Sequence, residues 1–399
     1  MARHLRFRRE GSLRTQPLQH CETLDFSACN DRLFRDANIG PVLSLDEATT
    51  ENDAYRASLD VFAAYLMADF KPWDDLRLVV GQRLEYTHQV IDPYDQFGLG
   101  TPPEGAEIEQ PDLLPAFSAA WNFVPKANLR GAVTRTLARP QLRELAPFTF
   151  ADYFGGRQVG GNAELELTRI TNVDLRVEYF PTLREVLAFS VFLKEFENPI
   201  EPILLSSGEL GVMTFQNAAG ATLIGLELEA RKGLEFVHPS LRWFSLLGNL
   251  TLAHSKIQLQ EDERELIVTN LSRPLVNQAP FVLNLSLDYT NDDLGTSARV
   301  LYNLTGPRIS EVGSEGLPDV YEHARGVLDL SVQQKLLKAL SLRLSLKNIL
   351  NSAVVFTQGC NDSGLFGGSW RLSCEADDDA IVRRYTEGTS LALAATYDF

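Results

Sequence analysis

The sequence predicts an all-β chain folded as a transmembrane antiparallel β-barrel of about fourteen strands. Three observations carry that reading: a two-residue alternation that recurs along the chain, connections that are by turns short and long, and the lack of any apolar run approaching the roughly 18 residues of a membrane-spanning helix. A spanning strand needs only about 9 to 11 residues.

The alternation is clearest where it has no exception. Val173, Leu175, Val177 and Tyr179 fall on one face of a strand against Asn172, Asp174, Arg176 and Glu178 on the other. Phe281, Leu283, Leu285, Leu287 and Tyr289 repeat the pattern against Asn284, Ser286, Asp288 and Thr290. Leu342, Leu344 and Leu346 alternate with Arg343, Ser345 and Lys347, and Leu226 and Leu228 with Glu227, Glu229 and Arg231. Full charges on the second face would be expensive in the dry core of a sandwich. They suit a wet barrel interior, with lipid covering the other face.

Strands are read at 1–8, 53–70, 75–92, 111–124, 126–138, 165–180, 185–199, 220–235, 240–257, 279–290, 294–304, 323–336, 340–351 and 384–399. The short gaps between them are Lys71–Asp74, the Pro125-Lys126 corner, Pro181–Arg184, Val237–Pro239, Asn291–Asp293 and Leu337–Ala339. The long ones are 9–52, 93–110, 139–164, 200–219, 258–278, 305–322 and 352–383. Strict alternation sends every short turn to one end of the sheet and every long loop to the other, as in outer-membrane barrels with periplasmic turns and extended outer loops. The last strand carries Leu393, Tyr397 and the terminal Phe399 on one face, and these three residues are expected to form the membrane-assembly signal.

Composition agrees. The 399 residues are 44% hydrophobic and 23% charged, with a net charge of −16 that argues against nucleic acid as a partner. Acidic runs such as Glu375–Asp379 are explained by the solubility of exposed loops. Cys21 and Cys29 share the first long loop and Cys360 and Cys374 the last, so two small rings, Cys21–Cys29 and Cys360–Cys374, are expected in an oxidising compartment, with four free thiols as the alternative. Neither spacing is that of a zinc site, and neither a metal nor a cofactor is expected.

The segment Arg135–Phe148, followed by Asn162 and by Asn172–Phe180, resembles the middle barrel region of TonB-dependent outer-membrane receptors. Arg3–Arg8, Leu78–Tyr86, Phe196–Ile200, Gly225–Glu229, Leu301–Asn303 and the terminal Phe399 are similar to the same family, in the same order. The resemblance implies a barrel of about 22 strands in the bacterial outer membrane, with a plug domain and a short box that contacts the TonB complex. It also implies import of a small-molecule nutrient, an iron chelate, cobalamin or a carbohydrate, and assembly into outer-membrane lipid by the barrel assembly machinery. Residues 1–399 are read as one N-terminally truncated barrel domain, a fragment not expected to be competent alone, because Met1–Arg8 has neither the apolar core nor the cleavage site of a secretory signal and no plug precedes the strands.

Outer-loop aromatic and charged residues, Arg143, Phe148, Tyr153, Phe154 and Arg157, are the candidate ligand contacts. An enzyme is not expected. The six histidines are scattered, no Gly-x-Ser-x-Gly elbow occurs, and the Gly155–Gly161 run lacks the Gly-Lys-Ser/Thr ending of a phosphate loop. A barrel phospholipase is disfavoured because no Ser/His pair falls on one outward face. The alternatives to a receptor are a passive pore, a structural barrel or the product of a degraded gene.

Overall fold

The computed structural model describes residues 5–9, 43–47, 54–95, 101–151, 157–205, 212–259, 270, 272–314, 317–337, 339–359 and 380–397. Two short strands, β1 (Leu5–Arg9) and β2 (Leu43–Glu47), pair with each other. The main sheet holds thirteen strands: β3 (Tyr55–Trp73), β4 (Leu76–Pro93), β5 (Ala106–Val124), β6 (Ala127–Ala138), β9 (Thr168–Tyr179), β10 (Val186–Glu197), β13 (Gly220–Gly233), β14 (Phe244–Gln258), β15 (Phe281–Asn291), β16 (Thr296–Thr305), β19 (Arg325–Lys335), β20 (Leu340–Lys347) and β23 (Ser390–Tyr397). Each pairs antiparallel with the next. Thirteen of the fourteen predicted strands are these, displaced at their ends by a few residues. The remaining one, predicted at 1–8, is β1, and its hydrogen bonds go to β2 rather than to the main sheet.

The register sorts the side chains as the alternation requires. Val177 of β9 lies opposite Leu129 and Phe189, while its neighbour Arg176 lies opposite Arg130 and Ser190. Across β14, β15 and β16, Leu250, Leu283 and Leu304 share the apolar face, and Asn249, Asn284 and Asn303 form a hydrogen-bonded ladder on the polar one. The apolar face is open: Leu66 is 80% exposed, Leu175 46% and Leu393 73%. A protein in water would cover such side chains; in a bilayer, acyl chains cover them.

Short turns all lie at one end. Gly295 closes the β15–β16 turn at φ +62°, a left-handed conformation that glycine adopts freely, and a Cβ there would come within 2.9 Å of that of Lys335. At the other end, loops predicted as irregular turn out to be paired. Strands β7 (Thr149–Ala151), β8 (Gln158–Gly160), β11 (Ile200–Leu205), β12 (Val212–Asn217), β17 (Arg308–Gly313), β18 (Val320–Glu322), β21 (Ala353–Gln358) and β22 (Ala380–Thr386) form a second, eight-stranded sheet. Four long connections supply two strands each, and two junctions, β11 with β17 and β12 with β8, are parallel.

The deeply buried apolar residues belong to this outer end rather than to the wall. Leu204, Ile309, Val312 and Val320 are at most 1% exposed. Loop sequence therefore builds much of the dry core, joined by the outer ends of wall strands at Ile91 and Ile257.

Candidate functional site

The polar face of the main sheet is a continuous set of ion pairs. Arg176 donates to Glu178 at 2.8 Å, to Glu229 at 2.7 Å and to Ser190 at 3.1 Å, so one guanidinium on β9 links its own strand to β10 and β13. Arg130 on β6 reaches the same Glu178 at 2.8 Å. Farther along the sheet, Arg299 holds Asp288 through two bonds of 2.6 and 2.8 Å, with Ser286 donating to the same carboxylate. Glu85 is shared by Arg83 and Arg139. These pairs satisfy charges on a wet surface; half-exposed pairs of this kind contribute little stability.

The outer end holds the buried electrostatics. Arg273 and Glu201, 1% and 3% exposed, form a two-armed bond of 3.0 and 2.8 Å, and the Val276 N–H donates to the same carboxylate at 3.1 Å. This pair fastens the segment after β14 to β11. Leu275 N donates to Ser255 of β14 at 2.8 Å and Asn277 N to the Ile309 carbonyl of β17 at 2.8 Å, so one segment is tied to three strands. Beside it, Asp319 accepts from Gly313 N at 2.8 Å and from the Asn270 side chain at 3.4 Å.

Burial pushes the Asp319 carboxyl above the usual carboxylate range. The folded form then holds the proton more tightly than the unfolded chain, so the associated stability is fully present below the unfolded value and is lost as pH rises through the folded one. Asp319→Asn, whose side-chain oxygen can still accept from Gly313, is expected to raise the melting temperature at pH 7 and to leave it unchanged near pH 4. Thermal unfolding at the two pH values checks this; an equal effect at both would refute it.

The predicted contact residues fall into two groups and a remainder. Arg143, in the one-turn helix Leu142–Leu145, sits over the Phe150 ring at 3.2 Å, and Phe148 stacks between Phe150 and Tyr55 at ring separations of 5.6 and 5.0 Å. These two predicted residues are thus brought together. Arg157 is held elsewhere, ion-paired with Glu311 of β17 and 3.5 Å from the Gln358 side chain. Tyr153 and Phe154 lie outside the described residues, as do Phe399 and all four cysteines, and with them both predicted disulfides. Leu393 and Tyr397 stand on the exposed apolar face of β23. Tyr55 escaped the sequence reading because its ring partner, Phe148, is distant in the chain, whereas Phe150 lies in the same loop as Arg143 and Phe148 and its proximity to them was the signal that could have found it. Among the described residues no cluster of His, Cys, Asp or Glu suits a metal ion.

Residues 18–349 match the β-barrel model of TonB dependent receptor-like proteins. The chain belongs to that family. Solved structures with the same fold include the copper transporter OprC, at 17% identity and a TM-score of 0.57 over 86% of this chain and 48% of that one. The ferric-catecholate import receptor Fiu of Escherichia coli K12 shares 15% identity, with a TM-score of 0.54 over 78% of this chain and 43% of its own. The ferric yersiniabactin uptake receptor FyuA of Yersinia pestis shares 15%, with 0.53 over 86% and 46%. This receptor barrel spans about half the length of the solved structures it matches. No curated protein matches the chain. Within an outer-membrane receptor barrel the apolar face is the lipid face and the charged face the lumen. The family comprises receptors and transporters, not enzymes.

Proposed function

We propose that this barrel serves TonB-dependent import of a small-molecule nutrient across the bacterial outer membrane, drawing energy through the TonB complex. The observation that carries the reading is the lumenal face itself: a hydrated wall of paired charges, Arg176 with Glu178 and Glu229 and Arg299 with Asp288, beneath a packed outer sheet. Iron chelates, cobalamin and carbohydrates are the candidate cargoes. That Fiu is a ferric-catecholate import receptor and FyuA a ferric yersiniabactin uptake receptor supports the first class.

Arg143 and Phe148, brought together in one cluster, are proposed ligand contacts, and so are Tyr153, Phe154 and, at its separate position beside Glu311, Arg157. A cation stacked on an aromatic cluster at the loop end offers both charge and a flat apolar surface to a chelate. Leu393 and Tyr397 are assigned to membrane assembly, supported by their exposed positions on β23.

The test is uptake of labelled ferric chelate, cobalamin and oligosaccharide by cells carrying this barrel joined to a plug domain and TonB-contacting box, with and without a protonophore. One cargo is expected to be imported, to lose import when the proton-motive force is collapsed, and to bind about tenfold less well to Arg143→Ala, the loss of one favourable cationic contact. Uptake insensitive to the protonophore would instead identify a passive pore.

A further inference from the structure

Alternation decides which face a side chain takes, but it does not decide which residues of two strands stand opposite each other. A strand slipped by one residue turns its apolar face into the lumen, whereas a slip of two keeps every residue on its own face. Where two strands meet through a tight turn, the turn settles the choice. β10 and β13 are joined instead through residues 198–219, and β16 and β19 through residues 306–324. The β10–β13 ladder runs on into β11 and β12 in the same register, so a slip at this seam would displace the whole arm.

Both seams carry a ring seated on a glycine of the facing strand. Phe192 of β10 stands opposite Gly225 of β13 on the lumenal face, in the row that continues to Asp174 of β9. A Cβ on Gly225 would lie 2.8 Å from Phe192 Cε1 and 2.7 Å from the Leu252 carbonyl oxygen of β14, so this glycine is closed in by both neighbouring strands. Tyr302 of β16 reaches diagonally to Gly326 of β19 on the lipid face, where a Cβ would lie 2.5 Å from its hydroxyl oxygen and 3.1 Å from its ring. The same contact recurs between Phe281 and Gly306, at the end of the β15–β16 pair farthest from its turn. Neither Gly225 nor Gly326 has a positive φ. What the wall takes from them is the missing side chain, a seat into which a neighbouring ring fits. A slip of two would set Phe192 against Leu223 or Glu227 and leave Gly225 bare.

We propose that these rings select the register of the two seams as the wall forms, Phe192 through Gly225 and Tyr302 through Gly326. The other contacts that cross the β10–β13 seam discriminate less or later. Arg176 with Glu229 and Lys232 with Glu185 are hydrated pairs. The buried Arg273–Glu201 bond, which the same slip would break, needs the outer sheet already in place.

The test is disulfide trapping in the full chain, its four native cysteines replaced by serine, while it inserts into lipid vesicles. Ala188→Cys paired with Glu229→Cys reports the native register, and Ala188→Cys with Glu227→Cys or Arg231→Cys reports the two slips. Pulses of oxidant during insertion read the register whether or not the barrel reaches its heat-modifiable form. The parent chain is expected to give the native cross-link almost alone. Phe192→Ala should raise the slipped cross-links about tenfold relative to the native one, the scale of one lost aromatic contact. Phe192→Tyr keeps the ring, and Phe189→Ala removes a ring of the same size from the lipid face of the same strand; both should behave as the parent. Slipped cross-links already abundant in the parent, no rise in Phe192→Ala, or an equal rise in Phe189→Ala or Phe192→Tyr would overturn the proposal.

Discussion

Arg273→Ala is expected to destabilise the outer sheet by about 3 to 5 kcal/mol, because it leaves the Glu201 carboxylate buried without its counter-charge. Both partners are nearly inaccessible, so water cannot rescue the orphaned oxygen atoms. The damage should stay local. The pair fastens the 272–278 segment to β11, whereas the thirteen-stranded wall is held by its own ladders. Hydrogen exchange should accelerate in β11, in β17 and around Asn277, with little change in β14 or β15. Limited proteolysis should cut near Arg273 while heat-modifiable gel mobility persists. The double variant Arg273→Met with Glu201→Leu removes both charges and should recover most of the loss, since well-packed apolar replacements of buried ion pairs are often neutral or stabilising. Unchanged exchange in Arg273→Ala would show that the pair does not hold the segment.

That pair also shows what the sequence could and could not reveal. The wall was legible because each strand carries its own two-residue alternation, as in Asn172–Tyr179, and because turn chemistry such as Asn291–Asp293 sits between neighbours in the chain. Every wall pairing joins strands consecutive in the sheet and antiparallel, so local pattern suffices. The outer sheet breaks both conditions. Its strands are three to seven residues long, β11 contains Pro202, and its two parallel junctions join segments about a hundred and about fifty residues apart. Arg273 and Glu201 are separated by 72 positions, and nothing in either neighbourhood marks the partner. Of the candidate ligand contacts, Arg143 and Phe148 were legible as loop-end cationic and aromatic residues. The cluster they join through Phe150 and Tyr55 was not, since it depends on how the loop folds back onto β3.

Leu330→Arg and Ser331→Arg, one residue apart on β19, are expected to differ by most of the cost of placing a charge in lipid. Leu330 lies opposite Val300 and Leu346 on the apolar face, midway along a strand whose outward positions run from Gly326 to Gln334. An arginine near the bilayer midplane costs about 2 to 4 kcal/mol in a barrel of this kind. Ser331 lies opposite Ser345 and Arg299 on the lumenal face, with Asp329 two residues away on the same side. There the new guanidinium remains hydrated. Repulsion from Arg299 is weakened by water and offset by Asp329, for a net effect of a few tenths of a kcal/mol. Urea titration of the protein folded into lipid vesicles measures both values. A β-sandwich with an aqueous outer surface would reverse the order, because Leu330 would then face water and Ser331 a closed interior. Equal penalties would mean that the two faces are not lipid and lumen. A large loss at Leu330 with near silence at Ser331 is the result that a water-filled barrel demands.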